Sequence, residues 1–292
     1  MVVHSVLPES LTRAVAEVLA PAGVDHVVHG DADPVGAAVA VTRDDDAIAL
    51  IGPFRSADVA EAVEVTAPAG LPLLAPVATA AAVTRDDEPG CDDPARHRGT
   101  VLRMVARDTV VAQRLAADLT ASGLRAFVVA GEHEYGVQLD GQLRLAGLPR
   151  TEDPGSADLV VVAGLAGQPE VERAAALGGL PWIAFDGIQG ADLATARDVR
   201  LALPFSPDAQ QADGRIGLEG CARRAAELVV AAIQAGAGDR AEMLDALRSL
   251  GPFDPHGDPI DPAVWLWRAD AQWRLTPDRP LPAVPSVPGP GP

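Results

Sequence analysis

Short apolar runs and helix-like segments alternate along most of this sequence, and this alternation limits the possible folds more than any other feature. The apolar runs are rich in valine, isoleucine and leucine, and each is typical of a buried parallel strand. They lie at 24–29, 47–51, 71–75, 125–130, 158–163, 181–185 and 198–203. The segments with helical spacing lie at 10–20, 33–43, 56–68, 107–121, 135–147, 169–178 and 190–196. Strands and helices that alternate in this way predict parallel β-sheets flanked by helices.

The pattern changes after residue 215. Residues 216–236 and 239–249 predict two consecutive helices, because AGAGD between them supplies a glycine stop and an aspartate cap. Residues 263–275 predict a β-hairpin, and the proline-rich stretch 277–292 predicts a disordered tail. A chain of 292 residues, 48% of them hydrophobic, is long enough for two domains.

Charge and hydropathy narrow the classes of partner. The formal net charge of −18 argues against nucleic acid or an anionic membrane surface, because both bind through clustered cations. No apolar run approaches the roughly 18 residues that a membrane helix needs. Residues 1–10 have neither a basic start nor a continuous apolar stretch, so no export signal is expected in them. A cytoplasmic protein and the mature form of an exported one both remain open.

Motifs of common enzymes and metal sites are missing from the sequence. It contains no GxGxxG after the first predicted strand, no GxxxxGK[ST] and no GxSxG. The six histidines form no HExxH or comparable set, and His26 and His29 are predicted to point to opposite faces of a strand. Cys91 and Cys221 lie outside any zinc-binding pattern, and both a bridged and a free state remain open. No metal and no cofactor is expected.

Polar side chains follow four of the predicted strands, where ligands of parallel sheets collect. They are Ser56 in GPFRS, Thr79 in APVAT, Tyr135 in GEHEYG and Asp186 in FDG. The N–H groups at a helix start favour an anion, so Ser56 is a candidate anion contact. Each residue also has an ordinary interpretation: Ser56 could cap its helix, Tyr135 could pack on its own helix, and Asp186 could be a turn residue.

Arg55 stands directly before Ser56 and has two interpretations. It could meet an acidic group on a ligand, or it could pair with a surface carboxylate such as Asp58. Surface pairing is favoured, because exposed arginines are common.

The order of these segments resembles that of the branched-chain amino-acid binding proteins of ABC importers, which have the type I periplasmic binding protein fold. The segments are IGPFRSADVAEAV, GLPLLAPVAT, VVAGEHEYG, ADLVVVAGLAGQPEV, FDPHGDP and VWLWRADAQWRL, and they span about residues 24–276. The resemblance implies two Rossmann-like α/β lobes joined by a hinge that the chain crosses three times, near RMVARD, LPFSPD and GPFDPHG. Lobe one would comprise 1–105 with 205–250, and lobe two 106–204 with 253–276.

The resemblance also implies a function without catalysis. A monomeric, extracytoplasmic solute-binding protein would close around a small amino-acid-like ligand and deliver it to an ABC permease. The alternative is a cytoplasmic ligand-sensing or regulatory protein on the same fold. An enzyme on this scaffold is a third possibility, and it would turn over a bound substrate.

The resemblance further implies a role for each candidate residue. Ser56 and Thr79, with nearby backbone N–H groups, would hold the ligand's carboxylate. The backbone around Val77 and Ala78, together with Asp186, would take the ammonium group. Tyr135 would close from the second lobe. Leu165 stands where many members of the family carry an aromatic residue, and it is a further candidate ligand contact. Arg55, the neighbour of Ser56, is another.

Overall fold

The computed structural model describes residues 1–84, 99–188, 190–193, 196–207 and 218–284. Strands and helices alternate through most of this range. In chain order they are β1 (Val2–Val6), α1 (Glu9–Leu19), β2 (Asp25–His29), α2 (Pro34–Thr42), β3 (Ala47–Ile51), α3 (Ser56–Thr66), β4 (Leu73–Ala75), β5 (Val101–Arg103), α4 (Asp108–Ser122), β6 (Ala126–Ala130), α5 (Glu134–Leu145), β7 (Leu159–Ala163), α6 (Pro169–Ala176), β8 (Pro181–Ala184), β9 (Arg197–Leu203), α7 (Leu218–Gln234), α8 (Arg240–Leu250), β10 (Trp265–Ala269) and β11 (Leu275–Pro280).

The described residues form two compact units. The first unit comprises 1–84, 99–107 and 218–262, and the second comprises 108–188, 190–193, 196–207 and 263–284. The chain leaves the first unit after Arg107 and again after Pro262. Among the helices of the described part of the chain, none combines the length and apolar character needed to cross a membrane.

The first unit is built on a parallel sheet with the strand order β2-β1-β3-β4-β5. Strand β3 is buried throughout, and its successive side chains point to opposite faces of the sheet. Leu50 packs in the core that α2 and α3 cover, whereas Ile51 packs in the core that α1, α7 and α8 cover. Because β3 and β4 are neighbours, the loops that follow them, 52–55 and 76–80, lie at the same edge of the sheet.

The second unit is built on a sheet with the order β11-β10-β9-β8-β7-β6. Strands β6 to β9 are parallel, and β10 and β11 are antiparallel additions at one end. Trp267 of β10 is fully buried and packs against Phe205. Strands β6, β7 and β8 are direct neighbours, so the loops that follow their carboxyl ends lie at the same edge of the sheet.

Most predicted elements are confirmed, but two strands were not foreseen. The hairpin predicted at 263–275 is present, although its second strand begins only at Leu275 and runs to Pro280. Strand β1 escaped notice because His4 and Ser5 interrupt its apolar pattern. Both are nevertheless buried: Ser5 Oγ lies 2.9 Å from His26 Nε2, and His4 Nδ1 lies 2.9 Å from His29 Nε2. His26 and His29 therefore point to opposite faces, as predicted. The other missed strand, β5, is only three residues long.

Several details of the sequence prediction were wrong. Strand β2 is a partly exposed edge strand and not a buried one. The described residues of the predicted helix 190–196 are not helical; the chain instead makes one 3₁₀ turn at Asp186–Ile188. Residues 277–280 belong to β11, whose edge position tolerates its prolines. Residues 285–292 of the predicted tail lie outside the described residues, as does Cys91, whereas Cys221 is a free, buried thiol.

Candidate functional site

The first group of candidate residues lies where β3 and β4 end. Ser56 is the first residue of α3, and its Oγ accepts hydrogen bonds from the N–H groups of Thr79, at 3.1 Å, and Ala80, at 3.2 Å. A hydroxyl has two acceptor lone pairs and one proton to donate. Both acceptor positions are therefore used. No described residue accepts the Ser56 proton, so the hydroxyl remains available as a donor.

The expected capping role of Ser56 is wrong. The residue in the N-cap position is Arg55, and it makes no side-chain cap to the helix. Ser56 instead accepts hydrogen bonds from the loop that follows β4, more than 20 residues further along the chain. Its hydroxyl thus lies beside the free N–H groups of the first turn of α3, which carry the positive end of the helix dipole.

The loop after β4 presents further unpaired donors. Within the described residues, the N–H groups of Val77 and Ala78 and the carbonyl of Val77 make no hydrogen bond. Thr79 is 8% exposed, and its hydroxyl also lacks a described partner. Two hydroxyls and two amides that lack described acceptors therefore lie in the two loops at this edge of the sheet, a set of donors that suits a carboxylate.

A buried arginine donates hydrogen bonds to the backbone carbonyls of this loop. Arg103, at the end of β5, is fully buried and donates from Nη1 to the carbonyl of Ala78 at 2.6 Å and from Nη2 to that of Ala80 at 2.9 Å. Arg103 is not among the candidate residues predicted from the sequence. The available signal was a charged residue within the apolar run VLRMVA, a position where a charge needs buried partners.

Arg55 pairs with Asp58, as favoured from the sequence. Its Nε and Nη2 atoms donate to the two carboxylate oxygens at 2.8 and 3.0 Å. Arg55 is 72% exposed, so this pair contributes little to stability. Both residues border a cavity of about 350 Å³ that is also lined by Asp31, Pro34, Pro53 and Phe54. A ligand contact for Arg55 stays a prediction.

The second group of candidate residues lies in the second unit, where β6, β7 and β8 end. Tyr135 Oη donates a hydrogen bond to Asp186 Oδ1 at 2.9 Å. Burial raises the pKa of Asp186, and the hydrogen bond from Tyr135 opposes that effect only in part. Burial, followed by the charge of Asp186, raises the pKa of Tyr135 well above its usual value. The pair therefore consists of a neutral phenol and a carboxylate that has lost much of its hydration.

Leu165 lies close to this pair. A Cβ atom added to Gly187 would come within 2.8 Å of the Tyr135 ring, 3.0 Å of Leu165 Cδ2 and 2.6 Å of the carbonyl oxygen of Gly164. The N–H of Ala166 also donates to the carbonyl of Gly187 at 2.8 Å. The loops after β7 and β8 are thus joined by their backbones, and Leu165, Tyr135 and Asp186 come together as predicted candidates.

A histidine and a glutamate support this arrangement, and neither is among the candidate residues predicted from the sequence. His133 Nδ1 accepts from the N–H of Gly136 at 3.2 Å, so Nε2 carries the proton and donates to Glu170 Oε1 at 2.7 Å. Glu170 also accepts from the N–H of Leu165 at 3.1 Å. Burial raises the pKa of Glu170, but these hydrogen bonds outweigh burial and leave the pKa below its usual value. The His133 ring stacks on that of Tyr135, with centroids 6.3 Å apart.

Comparisons with known proteins establish the fold. No family model and no curated protein matches the chain. Among solved structures, an ABC transporter substrate-binding protein from Desulfitobacterium hafniense, in complex with Leu, has a TM-score of 0.73 at 20% identity, covering 95% of this chain and 99% of that one.

Two further structures have the same fold. The branched-chain amino acid transporter substrate-binding protein LivJ from Streptococcus pneumoniae, in complex with isoleucine, has a TM-score of 0.71 at 15% identity, covering 95% of this chain and 99% of that one. A solute-binding protein of an ABC transporter from R. palustris, in complex with benzoate, has a TM-score of 0.71 at 15% identity and covers 97% of both chains. The chain therefore has the two-lobe α/β fold of type I periplasmic binding proteins, as the sequence resemblance predicted.

Proposed function

We propose that this protein binds a small α-amino acid without chemical turnover and delivers it to the permease of an ABC importer. The observation that carries the proposal is the Ser56 hydroxyl, whose acceptor positions are filled by Thr79 and Ala80 and whose proton has no described acceptor. A hydroxyl fixed as a donor beside free backbone amides recognises an anion. The ligand's carboxylate therefore binds to Ser56, Thr79 and the N–H groups of Val77 and Ala78.

The ammonium group binds to Asp186 and the backbone of the loop after β4. Tyr135 donates to Oδ1 of Asp186, and backbone N–H groups of Asp186 and Gly187 also stabilise this carboxylate, which the ligand's ammonium group would then pair with. A partly buried carboxylate with a raised pKa is costly, and a cation beside it offsets that cost. The Ala78 carbonyl already accepts from a guanidinium at 2.6 Å, so the carbonyl of Val77 is the better acceptor for a second cation.

The ligands of the structural neighbours support a carboxylate site. Two of these proteins are described in complex with Leu or isoleucine, and a third with benzoate. Carboxylate is the group that all three ligands share. The proposed contact between Asp186 and an ammonium group would make the site selective for amino acids over carboxylic acids that have no ammonium group.

The two units act as the lobes of this binding protein. A ligand that contacts both units stabilises the closed form by its differential affinity for that form. We retain the lobe ranges 1–105 with 205–250 and 106–204 with 253–276 as a proposal. Outside the cytoplasm, the closed, monomeric protein would then be recognised by a permease in the membrane. The transporter descriptions of the neighbours support this partnership.

A binding screen tests this function. Thermal shift of the purified protein against the common amino acids, sugars and aromatic acids should show stabilisation by one group of α-amino acids, about 2.7 kcal/mol at a hundred times the dissociation constant. Calorimetry should show that Ser56→Ala with Thr79→Ala removes this binding while the protein stays folded. Ser249→Ala is the matched control, because Ser249 Oγ bonds only within α8, to the carbonyl of Asp245. Unchanged binding by the double variant would overturn the carboxylate assignment.

A further inference from the structure

The guanidinium of Arg103 is linked to the Ser56 proton by a continuous chain of hydrogen bonds. Arg103 Nη1 donates to the carbonyl of Ala78 at 2.6 Å. The N–H of the same peptide group, which belongs to Thr79, donates to Ser56 Oγ at 3.1 Å. Each hydrogen bond in such a chain polarises the next. A buried positive charge therefore makes the Ser56 hydroxyl a stronger donor at the proposed carboxylate site.

Arg103 is itself fixed by a buried carboxylate far away in sequence. Its Nε donates to Asp258 Oδ1 at 3.1 Å, and its Nη2 donates to Thr84 Oγ1 at 2.9 Å. Thr84 Oγ1 in turn donates to Asp258 Oδ1 at 2.5 Å. Arg103 is fully buried, and the side chain of Asp258 is 6% exposed. The three side chains form a closed triangle, which leaves the guanidinium little freedom to turn.

The turn FDPHGDP holds Asp258 in this position. Asp254 Oδ1 accepts from the N–H groups of His256 and Asp258, at 2.9 and 3.0 Å. The carbonyl of Gly257 accepts from the N–H of Arg103 at 2.8 Å. Gly257 has φ +88°, and a Cβ there would lie 1.9 Å from the carbonyl oxygen of Val101, so only glycine permits this approach. The turn is thereby docked on the β5 edge of the sheet.

The same carboxylate binds a residue at the end of the first unit. Arg107 Nε lies 3.1 Å from Asp258 Oδ2. Arg107 is the last residue before the chain first enters the second unit, and Asp258 lies four residues before Pro262, where it does so again. Asp258 thus contacts or adjoins two of the segments through which the chain passes between units. It also binds Arg103, which donates to the loop after β4.

We propose that Arg103 is a positioning residue for the carboxylate site, and that Asp258 couples this site to the two chain passages at Arg107 and Pro262. The inference rests on the proposed function and adds a regulatory link to it. A change in the chain direction at either passage moves Asp258, turns Arg103 and shifts the loop bearing Thr79. Conversely, a carboxylate bound at Ser56 stabilises the chain direction at the two passages that keeps Arg103, Thr84 and Asp258 hydrogen-bonded to one another.

Asp258→Asn tests this link, because it removes the charge and keeps the size of the side chain. We expect faster hydrogen exchange at the Thr79 and Ala80 amides, and about tenfold weaker binding of L-leucine and L-isoleucine by calorimetry. Arg107→Gln should also weaken the binding of these two amino acids. The double variant with Asp258→Asn should be no weaker than Asp258→Asn alone, since both act through one contact. Asp258→Glu, which restores the charge, should recover part of the affinity.

Asp118→Asn is the matched control. Asp118 is 6% exposed and binds the guanidinium of Arg279 in the second unit, so its substitution also removes a buried carboxylate from an ion pair with an arginine. It should lower the melting temperature without altering affinity or exchange at Thr79. Thr84→Val provides a second, milder variant if Asp258→Asn does not fold, and it should raise exchange at the same amides.

The outcomes separate this inference from the proposed function. If the wild-type protein binds either amino acid and Asp258→Asn binds it equally well, the coupling is wrong. If the wild type binds neither, the branched-chain ligand class fails, and hydrogen exchange alone judges the coupling. In that case, faster exchange at Thr79 and Ala80 in Asp258→Asn but not in Asp118→Asn supports it. Equal exchange in the two variants overturns it.

Discussion

The phenol of Tyr135 donates a hydrogen bond to Asp186 Oδ1 at 2.9 Å, and it is the only tyrosine in the chain. This contact orients a partly buried carboxylate whose pKa is raised by burial. The carboxylate therefore costs free energy in the unliganded protein, and a cationic ligand group would offset that cost.

Asp186→Asn should raise stability and weaken amino-acid binding. The folded-state pKa of Asp186 lies above its unfolded value, so ionisation at neutral pH opposes folding and the opposition disappears as the pH falls below both values. Urea denaturation should show a higher unfolding free energy for the variant at pH 7, with the difference shrinking toward pH 4. Calorimetry should show a loss of about 1.5–3 kcal/mol of binding free energy, the usual value of a hydrogen bond to a charged group.

Asp270→Asn is a control of opposite sign. Hydrogen bonds from Arg274 and Gln272 lower the pKa of Asp270, so its ionised form supports the folded state above the unfolded pKa. This variant should lose stability at pH 7 and keep its ligand affinity. A loss of stability in Asp186→Asn at pH 7 would contradict the account of that carboxylate.

Gly187→Ala should destabilise the protein by about 1–3 kcal/mol, the usual cost of overpacking. The added methyl would lie 2.6 Å from the carbonyl oxygen of Gly164 and 2.8 Å from the ring of Tyr135. Gly141→Ala is the matched control, because Gly141 lies within α5 and has open space around its Cβ position. That variant should gain about 0.5–1 kcal/mol. Equal effects of the two substitutions in urea denaturation would show that the close approach at Gly187 is absent.

Stability should fall as the pH drops from 7.5 to 5.5, and His4 should contribute to the fall. Burial, His29 and Arg240 lower the pKa of His4, while Asp44 opposes them. Its folded-state pKa thus lies below the unfolded value of about 6.5, so acid protonates the unfolded chain first. His4→Gln should show a smaller decrease over this range in urea denaturation. An identical pH dependence in the two proteins would exclude His4 as a contributor.

The sequence revealed the parts of the candidate site that follow strands. Ser56, Thr79, Tyr135 and Asp186 could be selected because strand ends in parallel sheets meet at one edge. The Arg55–Asp58 pair was also accessible, since the two residues are three apart on a helix start. These features depend on local periodicity and on short spacings.

The missed features depend on partners that are distant in sequence. Strand β1 was hidden by His4, whose partner His29 comes 25 residues later. Arg103 and Asp258 are 155 residues apart, and no local pattern predicts that they meet. The use of the Ser56 hydroxyl as an acceptor for the loop after β4 likewise follows only from the tertiary fold.

Calorimetry with one amino acid and its two truncated analogues tests the central claim most directly. The amino acid with the largest thermal shift would be compared with its deaminated acid and its decarboxylated amine. We predict that the intact amino acid binds and that each analogue binds at least about tenfold more weakly, because each leaves the partner group at Ser56 or Asp186 unpaired. No thermal shift with any amino acid, or equal affinity for the three compounds, would contradict the account.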